Sequence, residues 1–107
     1  MKTIFISMPK NGMNREEVQI KLRNILLLVE KYLGEQTKLI SYSVEDEHEE
    51  RPIKSMCTAL EQIITVDCVV FAEGYENFRS GRLEYFCASE YGKQILIEHG
   101  NEIQEVF

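Results

Sequence analysis

The stretch Cys68-Val-Val-Phe-Ala-Glu-Gly-Tyr-Glu-Asn-Phe-Arg-Ser-Gly-Arg-Leu-Glu84 decides the fold. It opens with apolar, largely β-branched residues, as expected of a strand that is buried on both faces of a sheet. A glycine-containing loop follows, and from about Ser80 to Tyr91 the apolar residues recur at helical spacing until Gly92. The stretch therefore predicts a strand, a loop and a helix.

The same alternation of strand and helix recurs on both sides of this stretch. Strands are predicted at residues 2–7, 37–42 and 94–97. Helices are predicted from the capping box of Asn14 and Glu17 to Gly34, and from Pro52 to about residue 64. The last ten residues have no assignable pattern. This order implies right-handed crossovers, and hence one α/β domain over residues 1–107 with a parallel sheet covered on both sides.

Composition and charge limit the classes of partner. The chain has 107 residues, of which 44% are hydrophobic and 28% charged, with a formal net charge of −6. This balance is typical of a soluble globular domain and disfavours binding to a nucleic-acid polymer or to an anionic membrane. The cations Arg79, Arg82 and Lys93 are nevertheless concentrated in one part of the chain, which leaves a small phosphorylated ligand open.

Cysteine usage and hydropathy indicate the compartment. Cys57, Cys68 and Cys87 are widely spaced in apolar sequence, which favours buried free thiols over a disulfide or a zinc site. The N-terminus has no signal-peptide pattern, and no apolar run approaches about 18 residues. We therefore expect a soluble cytoplasmic protein. The acidic run Glu45 to Glu50 is expected to be a solvated loop.

Two loops at the carboxyl ends of the predicted strands, Met8 to Met13 and Glu73 to Arg79, are where a parallel α/β sheet binds ligands. Ser80, Gly81 and Arg82 begin the following helix, where backbone N–H groups and the helix dipole suit an anion; solvated arginines are the alternative. Glu84, one turn later, should face the strand ends. It is a nucleophile toward a sugar, a helix-dipole partner for Arg82, or a surface glutamate.

Other candidate chemistries have little support. Asp67 precedes a strand and is therefore expected at the amino end of the sheet, as a structural turn residue. His48 and His99 have no partner at ligand spacing, so no metal site is predicted. The sequence also lacks the GxGxxG, GxxxxGK[ST] and GxSxG motifs, so nucleoside triphosphate hydrolysis and serine esterase chemistry have no support. No cofactor is expected.

Three segments together resemble the nucleoside 2-deoxyribosyltransferase-like superfamily, and a branch of small bacterial and phage proteins within it. They are Phe5-Ile-Ser-Met-Pro9, Asp67-Cys-Val-Val-Phe-Ala72 and Ser80-Gly-Arg-Leu-Glu84, the last followed by Ala88 and by Gly92-Lys93. The resemblance implies a three-layer Rossmann-like (flavodoxin-like) domain. It would have a parallel sheet of four to five strands in the order 2-1-3-4.

The resemblance also implies an activity. Members of the superfamily cleave the N-glycosidic bond of a 2′-deoxynucleoside or its 5′-monophosphate and transfer the sugar to another base or to water. Glu84 would be the nucleophile and Glu76 a second catalytic residue. The residues expected to bind the nucleoside or nucleotide are Ser7, Pro9, Gly74, Tyr75, Asn77, Arg79, Ser80, Gly81 and Arg82.

Assembly is expected by the same analogy. Relatives commonly form homo-oligomers, and the tail from Gly100 to Phe107 would reach a neighbouring subunit's pocket.

The sequence departs from the superfamily in ways that leave alternatives open. The first strand often carries a tyrosine whose hydroxyl helps to hold the nucleophile, and here the matching residue is Phe5. The acid that protonates the leaving base is Glu76, Glu73 or a residue of a neighbouring subunit. A non-catalytic nucleotide-binding or sequestering module is therefore the main alternative to an enzyme, and an interaction protein with a vestigial site is a third.

Overall fold

A computed structural model describes residues 1–45 and 53–107 of the chain. A short 3-10 turn, Tyr75–Asn77, precedes the last helix. The other elements, in chain order, are β1 (Lys2–Pro9), α1 (Arg15–Leu33), β2 (Thr37–Glu45), α2 (Ile53–Thr65), β3 (Cys68–Phe71), α3 (Arg79–Glu90), β4 (Gln94–His99) and β5 (Glu102–Val106). The predictions for residues 46–52, which include most of the acidic run, His48 and Pro52, lie outside the described residues.

The described strands form one mostly parallel sheet in the order β2-β1-β3-β4-β5. The predicted order 2-1-3-4 of the first four strands is confirmed, and these strands run parallel. The prediction of a wholly parallel sheet is wrong at one edge, because β5 pairs antiparallel with β4. The connection from His99 to Glu102 is too short for a crossover, so the chain turns back as a hairpin through Gly100 at φ 60°.

The two faces of the sheet carry separate apolar cores. Ile4 and Ile6 of β1 pack toward α1, whereas Phe5 lies in the cluster that α2 and α3 cover. Alternate residues of a strand point to opposite faces, so a strand between two helical layers is apolar at every position. Each fully buried aliphatic side chain of this kind contributes about 1.5–3 kcal/mol relative to the exposed state.

Helix α1 begins and ends as the sequence predicts. The side chain of Asn14 accepts a hydrogen bond from the backbone N–H of Glu17 at 2.9 Å, and the Glu17 carboxylate accepts one from the N–H of Asn14 at 3.0 Å. Gly34 closes the helix in the left-handed conformation, with φ 71°. The predicted capping box and stop are both confirmed.

Asp67 lies at the amino end of the sheet, as expected. Its carboxylate accepts hydrogen bonds from the backbone N–H and the hydroxyl of Thr3, both at 2.9 Å. These two bonds are what lower the pKa of Asp67. Asp67 thus joins the start of β3 to the start of β1, far from the carboxyl edge.

Strands β1 and β2 are longer than predicted, and the difference bears on the site. The predicted ends were Ser7 and Tyr42, but β1 runs to Pro9 and β2 to Glu45. The additional pairs keep Ser7 of β1 in register with Ser43 of β2. Two serine side chains therefore stand side by side on neighbouring strands near the carboxyl edge of the sheet.

Candidate functional site

The most unusual side chain in the described structure is the carboxylate of Glu84, which is 0% exposed in the first half of α3. Its Oε1 accepts a hydrogen bond from the Ser7 hydroxyl at 2.7 Å and another from the Ser43 hydroxyl at 2.8 Å. Both serines are buried as well. A buried charge is costly unless hydrogen bonds compensate it, and bonds to a charged group contribute about 1.5–3 kcal/mol each.

The neighbouring strands explain why both hydroxyls reach one oxygen atom. Paired residues of adjacent strands lie about 4.8 Å apart, and Ser7 is paired with Ser43. Phe5 precedes Ser7 on the same face of β1, fully buried in the core beneath α2 and α3. The next side chain on this face of β1 is Ser7, whose hydroxyl reaches Glu84 together with that of Ser43.

The close approach of α3 to the loop before it requires glycine at position 81. A Cβ atom added there would lie 2.2 Å from the backbone carbonyl oxygen of Tyr75. The sequence predicts that Gly81 belongs to an anion-binding site at the start of this helix. In the structure, the group that approaches is the protein's own 3-10 turn, so Gly81 first serves to seat α3 against that turn.

The 3-10 turn also carries an aromatic cluster. The rings of Tyr75 and Tyr85 stack with their centroids 5.5 Å apart, and Phe71 lies 4.9 Å from Tyr75. Burial is the main cause that raises the pKa of the Tyr75 phenol. This cluster fixes the turn against α3 and the end of β3.

The structure divides the remaining predicted site residues between buried and exposed positions. Ser80 is buried, and so is Pro9, which lies beside Gly74. Arg82 donates from Nη1 to the carbonyl oxygen of Glu76 at 2.9 Å, which ties the first turn of α3 to the 3-10 turn. The exposed residues of the predicted set are Glu76, Asn77, Arg79 and Arg82. The structure thus joins Ser7 to Glu84 and leaves the predicted acid and both arginines at the surface.

Ser43 is the site residue that the sequence interpretation missed. The predicted second strand ended at Tyr42, one residue before Ser43. A usable signal was the position of the two serines. A serine at the carboxyl end of a predicted strand, beside another predicted strand that ends in a serine, forms a polar pair that needs a partner when it is buried.

A second buried carboxylate, Glu98, lies near the end of β4 and was not predicted. It is 1% exposed, and it accepts hydrogen bonds from Lys21 Nζ at 2.7 Å and from the backbone N–H of Glu73 at 3.1 Å. Its strand neighbour Leu96 packs in the core beneath α1, so Glu98 lies on the face of the sheet opposite Glu84. Glu98 therefore connects α1 to the start of the loop that carries the 3-10 turn.

The cysteines are free thiols, but they are not uniformly buried. Cys68 is buried and Cys87 partly so, whereas Cys57 is exposed, contrary to the prediction. Burial raises the pKa of Cys68 to about 12. Burial, and then the charge of Glu84, raise the pKa of Cys87. Neither Cys68 nor Cys87 is thereby activated as a nucleophile at neutral pH.

The described part of the chain contains neither a cluster of metal ligands nor a membrane-spanning helix. Residues 1–45 and 53–107 hold no group of three or more histidine, cysteine, aspartate or glutamate side chains that could bind a metal ion. His99 Nδ1 lies 3.9 Å from a carboxylate oxygen of Glu73. Within the same residues, no helix combines the length and the apolar character needed to cross a bilayer.

Comparison with known proteins adds no assignment to this geometry. No protein-family model matches the chain, and no curated protein sequence matches it either.

Proposed function

We propose that the protein cleaves the N-glycosidic bond of a 2′-deoxynucleoside or its 5′-monophosphate, with Glu84 as the nucleophile. The observation that carries this proposal is the carboxylate of Glu84, held by Ser7 and Ser43 near the carboxyl edge of a parallel sheet. The α/β sheet with strand order 2-1-3-4 is compatible with the Rossmann-like, flavodoxin-like fold of the superfamily that the sequence resembles.

The proposed reaction has two displacements at one carbon atom. A carboxylate oxygen of Glu84 bonds to C1′ of the sugar as the bond from C1′ to the base nitrogen breaks, and the base leaves with a proton from an acid. Water or a second base then attacks C1′ and gives its proton to the ionised acid, while the ester bond from C1′ to Glu84 breaks; both carboxyl groups are thereby restored. Glu76 is our candidate for the acid, since it lies on the turn that α3 packs against.

An anionic 5′ group would bind at the start of α3. The first turn of a helix presents backbone N–H groups and the positive end of the helix dipole. Ser80 lies in that turn, and Arg79 and Arg82 place two positive charges at its surface. This arrangement favours a 5′-monophosphate over an uncharged nucleoside.

Access to Glu84 sets a condition on this chemistry. Because its side chain is 0% exposed, substrate can reach it only if neighbouring groups move aside. Binding would have to displace at least one hydroxyl hydrogen bond or open the cover over the carboxylate. We expect the chemical step to require this rearrangement.

A non-catalytic nucleotide-binding module is the second candidate, and two observations favour it. Phe5 has no hydroxyl, and both serines donate to a carboxylate that is sealed from solvent. In this alternative Glu84 holds the fold of the site together, and the ligand binds at the first turn of α3 without being cleaved.

The test is an assay for base release from a panel of deoxynucleosides and their 5′-monophosphates, followed by chromatography. The parent protein should release base, and Glu84→Gln should reduce release to background. Glu76→Gln should slow it by about 10²–10⁴-fold, the usual contribution of a general acid. Glu16→Gln, an exposed position on α1, is the matched control and should retain activity.

Ligand-induced thermal stabilisation separates the two candidates. If the parent protein releases no base at high concentration, while the parent and Glu84→Gln are stabilised equally by a deoxynucleoside monophosphate, the enzymatic proposal is wrong and the binding module is supported. If there is neither release nor stabilisation, both proposals are wrong.

A further inference from the structure

The 3-10 turn Tyr75–Asn77 lies just beyond the hydrogen bond that joins Ser7 to Glu84. The turn packs against both β1 and α3. On the β1 side, a Cβ atom added to Gly74 would lie 3.7 Å from Cγ of Pro9, which follows Ser7 on the same face of the strand. The start of the turn is therefore in contact with the end of β1.

On the α3 side, the turn meets the helix one turn before Glu84. The backbone carbonyl of Tyr75 comes so close to Gly81 that a Cβ atom there would lie 2.2 Å from its oxygen. Gly81 and Glu84 are three positions apart and share one side of α3, with Gly81 nearer to the carboxyl edge of the sheet. The turn thus bridges β1 and α3 between the buried carboxylate and that edge.

The turn can move as one piece. The backbone N–H of Asn77 donates to the Gly74 carbonyl at 3.1 Å, and that of Phe78 donates to the Tyr75 carbonyl at 3.2 Å. On either side of these bonds the chain is not helical, because Gly74 has φ 90°, which favours glycine, and Phe78 is extended at φ −122°. A few loop residues of this kind commonly serve as hinges.

Side chains of α3 hold the turn in its closed position. Arg82 donates from Nη1 to the Glu76 carbonyl at 2.9 Å, and the ring of Tyr85 stacks on that of Tyr75 with the centroids 5.5 Å apart. The outer residues of the turn, Glu76 and Asn77, are exposed. Outward movement of the turn therefore carries it into solvent.

We propose that the turn Tyr75–Asn77 is a lid over Glu84 and that Arg82 is its latch. Opening breaks the bond from Arg82 to the Glu76 carbonyl and separates the stacked rings, while Glu84 keeps its serine bonds and stays with α3. Loop movements of this kind occur in microseconds to milliseconds. The ligand that an open lid admits rests on the function proposed for Glu84, whereas the movement itself does not.

Carboxyl labelling of the full chain tests the lid without a substrate. A water-soluble carbodiimide with glycine ethyl ester converts accessible carboxyl groups to amides, and mass spectrometry measures the labelling of each site. Glu84 and Glu98 are 0% and 1% exposed, and they lie on opposite faces of the sheet. Global unfolding exposes both, whereas opening of the lid exposes Glu84 alone. Glu98 is therefore the internal control.

The variants remove the contacts of the lid one at a time. Arg82→Met should raise the labelling rate of Glu84 by about threefold to tenfold, the factor that corresponds to one hydrogen bond, and leave that of Glu98 unchanged. Tyr85→Leu, which keeps an apolar side chain but removes the ring stack, should act in the same direction. Arg23→Met removes an exposed cation from α1 and should change neither rate.

Amide hydrogen exchange gives a second measure of opening. The backbone N–H of Tyr75 donates to the Ala72 carbonyl at 3.1 Å, and this bond crosses the hinge at Gly74. Exchange at the Tyr75 amide should therefore be faster in Arg82→Met than in the parent protein.

The proposal is wrong if labelling of Glu84 rises only in those variants and urea concentrations that also raise labelling of Glu98, because Glu84 is then reached by global unfolding alone. It is equally wrong if Arg82→Met and Tyr85→Leu both leave the labelling of Glu84 unchanged. A lid that opens in a protein that releases no base would support this proposal and contradict only the activity proposed for Glu84.

Discussion

At the scale of single residues, the two serine hydroxyls make the burial of Glu84 tolerable. Both donate to Oε1, at 2.7 and 2.8 Å, in a place from which water is excluded. Removing one hydroxyl leaves the buried carboxyl group of Glu84 with fewer compensating hydrogen bonds. Removing both leaves Oε1 without either hydroxyl bond.

We predict that Ser7→Ala and Ser43→Ala each lower the free energy of unfolding by about 1.5–3 kcal/mol, the contribution of a hydrogen bond to a charged group. The decrease in the free energy of unfolding of the double variant should differ from the sum of the two single decreases, because both hydroxyls bind the same oxygen atom. Urea denaturation measures all three. Ser89→Ala, at an exposed position of α3, is the control and should change stability by less than about 0.5 kcal/mol. Unchanged stability in both single variants would contradict this description of the site.

At the scale of elements, the seating of α3 depends on the backbone contact at Gly81. In an ordinary helix interior, alanine is about 1 kcal/mol more favourable than glycine. Here the added Cβ would lie 2.2 Å from the Tyr75 carbonyl oxygen. The Cβ is fixed to the helix backbone and the oxygen belongs to the backbone of the turn, so neither can easily move to relieve the clash.

Gly81→Ala should therefore destabilise the protein, by about 1–3 kcal/mol, as overpacking does. The same carbonyl accepts the backbone N–H of Phe78 at 3.2 Å, so displacement of the turn should speed hydrogen exchange at that amide. Amide hydrogen exchange followed by NMR, with Ser89→Ala as the control, measures both the loss of stability and the faster exchange of the Phe78 amide. A stabilised Gly81→Ala protein with an unchanged Phe78 amide would show that the turn adjusts freely.

Element boundaries also show where sequence reasoning works. The strands and α1 follow from local signals: runs of β-branched residues, a capping box and a terminal glycine. The ends of β1 and β2 were placed too early, because Pro9 and Ser43 are poor strand formers in isolation. Pairing between the two strands, which is a non-local effect, extends both of them to the carboxyl edge.

At the scale of the whole molecule, the order of the first four strands was predicted from the family resemblance, and right-handed crossovers are compatible with it. The antiparallel β5 could not be read from the apolar pattern, although Gly100-Asn101 is a known hairpin signal followed by Ile103 and Val106. Residues 102–106 of the tail add a strand to the chain's own sheet, and the contact of the tail with a neighbouring subunit stays a prediction. The hydrogen bonds made by the carboxylates of Glu84 and Glu98 were harder to predict, because their partners are more than 40 positions away in the sequence. These partners are Ser7, Ser43 and Lys21.

The ion pair between Lys21 and Glu98 joins the two halves of the chain, so its loss should lower the stability of the whole domain. The Glu98 side chain is 2% exposed and Lys21 37%, with their charged atoms 2.7 Å apart. Removing one partner of a buried ion pair leaves an uncompensated charge, and such changes cost about 3–5 kcal/mol. Because Lys21 is partly solvated, we expect Lys21→Met to lie at the low end of that range.

The double variant Lys21→Met/Glu98→Gln decides whether charge is the cause. Glutamine keeps an oxygen acceptor for the Glu73 N–H but removes the buried charge, so the double variant should be more stable than Lys21→Met alone. Arg23→Met, an exposed cation on the same helix, is the control for loss of a positive charge. Thermal and urea unfolding compare the double variant with Lys21→Met and Arg23→Met. If the double variant is the least stable of the three, the pair stabilises the protein mainly through packing of the aliphatic part of Lys21. In that case the electrostatic connection between α1, β4 and the loop after β3 is wrong.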